Sequence, residues 1–464
     1  MKNLFLLSVI FLCLATAAHA GDINAASCSH TAVQAAINSA SNGDRVLVPA
    51  GSCTWTTTVT ISNKGITLQG AGVNQTNITD QGSSGNALLI SGASHANFVT
   101  LTGFTFIKGT DHVRGILEIS GTQAEIGFRF HHLRLLSATS GSRGISVIGL
   151  YGLIDHVTFD VTASTGSIQS ISVFGSPTGS DGGFSPWTRP LSFGTDNAVY
   201  IEDNTFNYGS RDEDCVDAYA GARLVIRHNA FNNAHIGFHG TDSGGMRSPV
   251  SAEVYSNIFA NNTSSAYRAG TIRGGTSVWY NNSYGGSHGQ WQGITILYYR
   301  ACPDMWLGDW KTCDGTNWRI GSTVLTDPAS RVSSTSGSVS FCSGNRELIC
   351  TSNTTCAAAG AGTCTTFFDG SGTAGYPCRD QPGRGPGQAL APIYAWGNTG
   401  GVRLVTYDGK TSCGVGLGNY LQEGRDYYND TKMPEYVAYT YPHPLQSTKV
   451  SIQVPAAPAI LGIR

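Results

Sequence analysis

The chain has 464 residues, with 12% charged, 40% hydrophobic, 59 glycines and a formal net charge of -2. A balance this close to zero provides no long-range field for nucleic acid or for an anionic membrane. Past the N-terminus no stretch approaches the ~18 apolar residues of a bilayer span, so neither partner is expected. Asn, Ser, Thr and Gly between short apolar runs point to many strands and turns.

Residues 1–20 read as a secretory signal peptide. Lys2 precedes an apolar run from Leu4 to Leu14, and Ala18-His19-Ala20 places small residues where a signal peptidase cuts. The expectation is a secreted monomer, extracellular or periplasmic, cleaved after Ala20. Of twelve cysteines Cys13 leaves with that segment, and export makes disulfides the default for the others. Cys28 and Cys53 bracket the N-terminal region, and eight more lie between Cys302 and Cys413. Cys215 stands apart and is read as a buried thiol outside the disulfide set.

Next in the chain, "HTAVQAAINSA" (30–40) carries Val33, Ala36, Ile37 and Ala40 at helical spacing. A short helix there would cover the open edge of a strand array, and "GITLQGAG" (65–72) reads as an early coil. A repeat follows. "VTLTGFTF", "RFHHLRLL", "GLIDHVTF", "VYIEDNTF", "LVIRHNAF", "EVYSNIF" and "VWYNNSY" are alternating runs that close on a large apolar residue, from Phe106 to Tyr284. Their period near 25, without amphipathic helices, predicts a strand solenoid. The long interval between Phe159 and Phe206 holds either an insertion rich in Gly and Ser or an extra coil. Asn204, Asn229, Asn257 and Asn282 recur two residues before the closing aromatic. Stacked amides of this kind can bond to each other and to turn backbone, a structural role.

The fold class expected is all-β: a single-stranded right-handed parallel β-helix with an N-terminal capping helix, over 21–300. Residues 301–380 read as Cys-rich, disulfide-stapled loops. Residues 381–464 read as further coils, beginning with "PIYAWGN", and a tail packing on the helix. The aromatics of "GRDYYND…YTYPHPL" fit either sugar stacking or that packing.

Outward side chains of stacked strands lie ~4.8 Å apart, so a site can assemble from residues one period apart. Four segments, in order, resemble the pectate lyases: "GLIDHVTF" (152–159), "EDCVD" (213–217), "IRHNAFNNAHIGFHG" (226–240), and Arg268-Ala269-Gly270-Thr271-Ile272-Arg273-Gly274-Gly275 running into "TSVWYNN". The resemblance spans roughly residues 150–285 and implies a polysaccharide lyase that cleaves an acidic, uronate-containing polysaccharide by β-elimination with Ca2+. Carried over, Arg268 matches the base that takes the C5 proton and Arg273 the clamp on a substrate carboxylate. Glu213 and Asp217 match metal ligands, with Asp155 on a supporting strand. The chemistry needs those types: a hard cation and guanidinium groups stabilise the charge that develops beside the carboxylate.

This chain departs from that pattern. The family's substrate-binding lysine falls on His235, and no lysine occurs between Lys108 and Lys311. An arginine base conflicts with its pKa, so His239, an imidazole suited to neutral pH, is the alternative base. Asp242 and Arg247 are candidates to line the same cleft. Two rival readings stand beside the lyase. A glycoside hydrolase would pair Asp203 with Asp217 or Glu202 with Glu253 across a cleft. A surface β-helix of the adhesin type would bind glycan without turnover.

Overall fold

The computed structural model describes residues 21–82, 85–109, 115–137, 143–161, 169–176, 185–240, 248–262, 268–286, 293–297, 319–320, 323–324, 338–343, 345–350, 352–368, 382–386, 389–407 and 421–447. It is a parallel β-helix, a solenoid in which short strands stack coil on coil into three faces. The first face runs from Asp22–Asn24 through Tyr151–Asp155, Val199–Glu202, Arg223–Arg227, Ser251–Tyr255 and Thr276–Tyr280 to Ile393–Trp396 and Tyr427–Asn429. The second follows a sharp corner and includes Thr158–Val161, Thr205–Tyr208, Ala230–Asn232, Ile258–Asn261 and Ser283–Gly286. The third holds Arg143–Ile148, Gln169–Phe174, Val216–Tyr219, Ile236–Phe238, Gly270–Ile272, Gly293–Leu297 and Arg403–Tyr407.

The sequence repeat is the packing repeat. Phe159, Phe206, Phe231, Phe259 and Tyr284 stack face to face inside, with centroids 4.6–4.8 Å apart. At the corner between first and second faces, the amides form a ladder. Asn204 donates to Asn229 Oδ1, Asn229 to Asn257, and Asn257 to Asn282, each from both backbone N and Nδ2, at 2.9–3.1 Å. Asn282 passes the same pair of bonds to Asn398 at 3.0 Å, so the ladder continues across the long excursion between them. The residue before each ladder amide turns the corner in the left-handed region. Asp203, His228, Ser256 and Asn281 all have φ between 53° and 57°. Short polar side chains tolerate that conformation.

The cap is as expected. His30–Ser39 is a helix with Ser29 as N-cap; it buries Val33, Ala36 and Ile37. The Cys28–Cys53 disulfide ties its start to the first coil. The interval between Phe159 and Phe206 holds an insertion and no extra coil. The chain leaves the third face after Phe174 and rejoins the first at Val199. The described chain likewise leaves the third face after Leu297 and rejoins the first at Ile393, because 278–280 pairs with 394–396 and 293–297 with 403–407. The Cys-rich part is more than stapled loops. Ser338–Cys342, Asn345–Ile349 and Cys364–Phe368 form an antiparallel sheet beside a helix, Asn353–Ala358. Cys342–Cys356 and Cys350–Cys364 lock it. Cys215 is a buried thiol in the solenoid core.

The aromatic tail packs on the first face. Tyr439 and His443 lie against Tyr200, and Tyr436 against Tyr280 and Trp396. The rings of Tyr436, Tyr439 and His443 are therefore committed to packing, while Tyr441 stays 45% exposed at the rim of an open groove.

Candidate functional site

On a β-helix face, alternate residues point outward. On the third face Ser172, Asp217, Gly237, Thr271 and Thr295 occupy one outward column, one per coil. Two residues further along each strand, Phe174 and Tyr219 begin a second column. His239 and Arg273 extend it, each two steps past the paired Gly237 and Thr271. Tyr219 stacks on Phe174 at 5.0 Å and on His239 at 4.6 Å.

Asp217 is fully buried, and its carboxylate is completely engaged. Oδ1 accepts the Ala218 N–H at 2.7 Å; Oδ2 accepts Gln169 Nε2 at 2.5 Å and lies 2.6 Å from His239 Nδ1. Gln169 also donates to the Tyr219 hydroxyl at 2.8 Å, and its own Oε1 accepts Arg143 Nε at 2.7 Å. His239 is 17% exposed, the accessible end of this chain of contacts. Its Nδ1 approach to Asp217 is that of an ion pair rather than of an aligned hydrogen bond. Burial works to lower the His239 pKa, but the Asp217 carboxylate outweighs it and holds the imidazole above its ordinary value; Arg273 opposes weakly. Burial raises the Asp217 pKa, and His239 pulls it back.

Asp214 completes the cluster. Its carboxylate lies directly over the Gly237 Cα, where a Cβ would sit 1.5 Å from Oδ1. Only glycine leaves that space. Asp214, Asp217 and His239 present ligand atoms within 4.8 Å of one another. These residues do not fit Ca2+. That ion takes about six to eight oxygens, whereas here one member is an imidazole and both Asp217 oxygens already accept protein donors.

Asp217, His239 and Arg273 thus come together, and other expected site residues do not. Asp155 is on the first face, fully buried, with both oxygens held by Arg129 at 2.8 Å; it is a structural ion pair and not a metal ligand. His235 is buried beside Asp214, 3.6 Å from its Oδ1, so it faces that acid rather than a substrate carboxylate. Arg268 precedes its strand and lines, with His235, Phe259 and Asn261, a small cavity between second and third faces. Arg273 follows the same strand. The two arginines therefore stand at opposite ends of the Gly270–Ile272 strand. Glu213 falls in the Thr205–Tyr219 strand with its side chain outside the described residues, as are Asp242 and Arg247. Asp214, Gln169, Tyr219 and Arg143 went unread. Asp214 was within reach, one residue into "EDCVD".

Among the described residues, neither Asp203 with Asp217 nor Glu202 with Glu253 shares a cleft. Glu202 binds Arg227, the His443 N–H and Gln446; Glu253 accepts from Gly194 and Tyr436. Asp203 lies at the first corner, bonded to Tyr441 and Gln446, away from Asp217. It lines an open groove of about 650 Å³ with His156 and His228; His156 Nδ1 lies 2.9 Å from Asp155 Oδ2, an oxygen that Arg129 also holds.

No family model matches the chain, and no curated protein does. Among solved structures it is similar to the alginate lyase from Paenibacillus sp. str. FPU-7, at 15% identity over 57% of this chain and 95% of that one. The TM-score of 0.33 makes this a loose likeness that carries no argument about mechanism.

Proposed function

We propose that this protein is a secreted polysaccharide lyase that cleaves a uronate-containing polysaccharide by β-elimination. The observation that supports this reading is the outward pairing of an acid-held imidazole, His239, with a guanidinium, Arg273, on neighbouring coils. The reaction needs a base for the C5 proton, a cation for the charge developing on the adjacent carboxylate, and a proton for the departing O4. His239 in its neutral form takes the C5 proton. The C4–C5 double bond forms as the C4–O4 bond breaks, and the proton on His239 passes to O4. Arg273 faces the substrate carboxylate and stabilises the charge that builds on it. Asp217 does not touch substrate: it orients the ring and favours the imidazolium formed midway.

No step is routed through a metal. The test is incubation of the purified protein with polygalacturonate, alginate and related polyuronates, with and without EDTA. Unsaturated products whose formation survives EDTA are expected. Saturated products, or intact polymer from every substrate, would refute the proposal; the second result accompanied by tight binding would identify a non-catalytic glycan-binding protein.

A further inference from the structure

The open groove of about 650 Å³ lies at the corner between the first and second faces. One side of it is a column of corner residues, one per coil. His156, Asp203, His228 and Ser256 each follow a residue of the paired series Asp155, Glu202, Arg227 and Tyr255. Steps of ~4.8 Å per coil make the column about 14 Å long, along the helix axis. Asn, Asp and His all tolerate the left-handed conformation of this corner, so the turn does not demand an imidazole at His156 or His228. Tyr441 of the tail lies on His228 with ring centroids 3.6 Å apart, and its hydroxyl donates to Asp203 Oδ1 at 2.7 Å. Gln446 donates to Asp203 Oδ2 at 2.8 Å. Ring and carboxylate are thus fixed before any ligand arrives. The tail nevertheless leaves apolar surface uncovered here: Tyr441 is 45% exposed, and Ile258, on the second-face side, is 60% exposed. The described residues that line the groove include no lysine or arginine, and Asp203 is the only acid among them. The nearest arginines are engaged elsewhere, Arg129 by Asp155 and Arg227 by Glu202. Burial lowers the His228 pKa against the pull of Asp203, so that ring is uncharged at neutral pH.

We infer that this groove binds an uncharged glycan chain, at a site separate from the His239 face. A sugar chain is recognised by flat apolar surface against the C–H side of its rings and by fixed polar atoms for its hydroxyls. Tyr441 and Ile258 supply the first; His156, Asp203 and Ser256 supply the second. A carboxylate has about four lone-pair sites, so Asp203 accepts sugar hydroxyls while keeping its protein donors. The same carboxylate discriminates against a polyuronate, whose charges would meet a like charge and no cation. The length of the column selects a polymer: polar positions one coil apart meet successive rings, and a single sugar would leave most of them empty. A chain held there leaves the third face open. The inference does not rest on the lyase reading.

The test is titration calorimetry of the full chain with cellohexaose, xylohexaose and mannohexaose, and with hexagalacturonate as the charged comparator. At least one neutral hexamer should bind, and hexagalacturonate should not displace it. Tyr441→Ala should weaken that binding about 3- to 10-fold, the loss of one stacking face, and Tyr441→Phe, which keeps the ring, should retain it. His228→Asn preserves the corner conformation and should also weaken binding, because Tyr441 loses the ring it rests on. It decides in place of Tyr441→Ala if circular dichroism shows that variant unfolded. Three results overturn the inference: no neutral hexamer binds, the folded variants bind as the wild type does, or hexagalacturonate displaces the neutral chain. If the wild type releases no unsaturated product from polyuronates, the lyase reading fails separately and the binding measurement still decides this one.

Discussion

The first and third faces are built from the same strands in the same solenoid, and both bury charge, but they complete it differently. On the first face Arg129 and Arg227 are closed by acceptors within the chain. Arg129 spans Asp155 and the carbonyls of Leu445 and Gln446. Arg227 binds Glu202, the Tyr255 hydroxyl and the carbonyls of Tyr439 and Thr440, and both members of its ion pair are 0% exposed. On the third face Asp217 is saturated, yet it holds an imidazole that is 17% exposed. Charge closed by the protein is scaffold. Polar groups left open beside an acid-held base are the mark of a site.

The comparison can be broken from either side. His239→Ala should cost about 10²- to 10⁴-fold in kcat with the fold kept, read as near-ultraviolet absorbance of unsaturated product and as circular dichroism. Arg227→Ala should do the reverse. Leaving Glu202 buried and uncompensated should cost about 3–5 kcal/mol in denaturant unfolding, while folded molecules keep their turnover. If Arg227→Ala abolished turnover in fully folded protein, the division between faces would be lost.

Smaller effects sharpen it. Glu253, buried on the first face, has its pKa raised by burial to about 7, against the pull of Tyr436 and Gly194. A carboxyl raised in the folded state favours folding most below its unfolded pKa near 4.5. That contribution, about 3 kcal/mol, is lost as pH climbs to about 7. Unfolding measured from pH 4 to 8 should show the decline, and Glu253→Gln should remove it. Gly237→Ala should displace the Asp214 carboxylate and lower kcat/KM about tenfold, a change of ~1.4 kcal/mol. The smallest effect is a shift in position. Because Asp217 raises the His239 pKa, the acid limb of the pH–rate profile should lie above 6.5 and move down in Asp217→Asn.

The scaffold was legible because its causes recur. A closing aromatic and a corner asparagine appear once per coil, and stacking makes each useful only beside its copies. The site was legible in part. Asp217, His239 and Arg273 were named, but the grouping was not. Asp155 and Asp217 look alike in sequence, each an acid on a strand. What separates them is the partner one coil away, Arg129 in one case and Gln169 or His239 in the other, together with the face they point to. The arginine motif misled for a related reason. Five residues sound close, but a strand carries Arg268 and Arg273 to opposite corners.

The tail that closes the first face runs backwards along the helix. Tyr436 reaches the Glu253 coil, Tyr439 and Thr440 the Arg227 coil, and Leu445 and Gln446 the Arg129 coil. An ordinary solenoid couples only adjacent coils, so it can grow and fray from either end. Here the middle coils acquire the last ligands for their buried arginines from residues synthesised after all of them. The ribosome releases the clasp after the coils it closes, and the central coils reach their final state only once residues 436–446 have emerged.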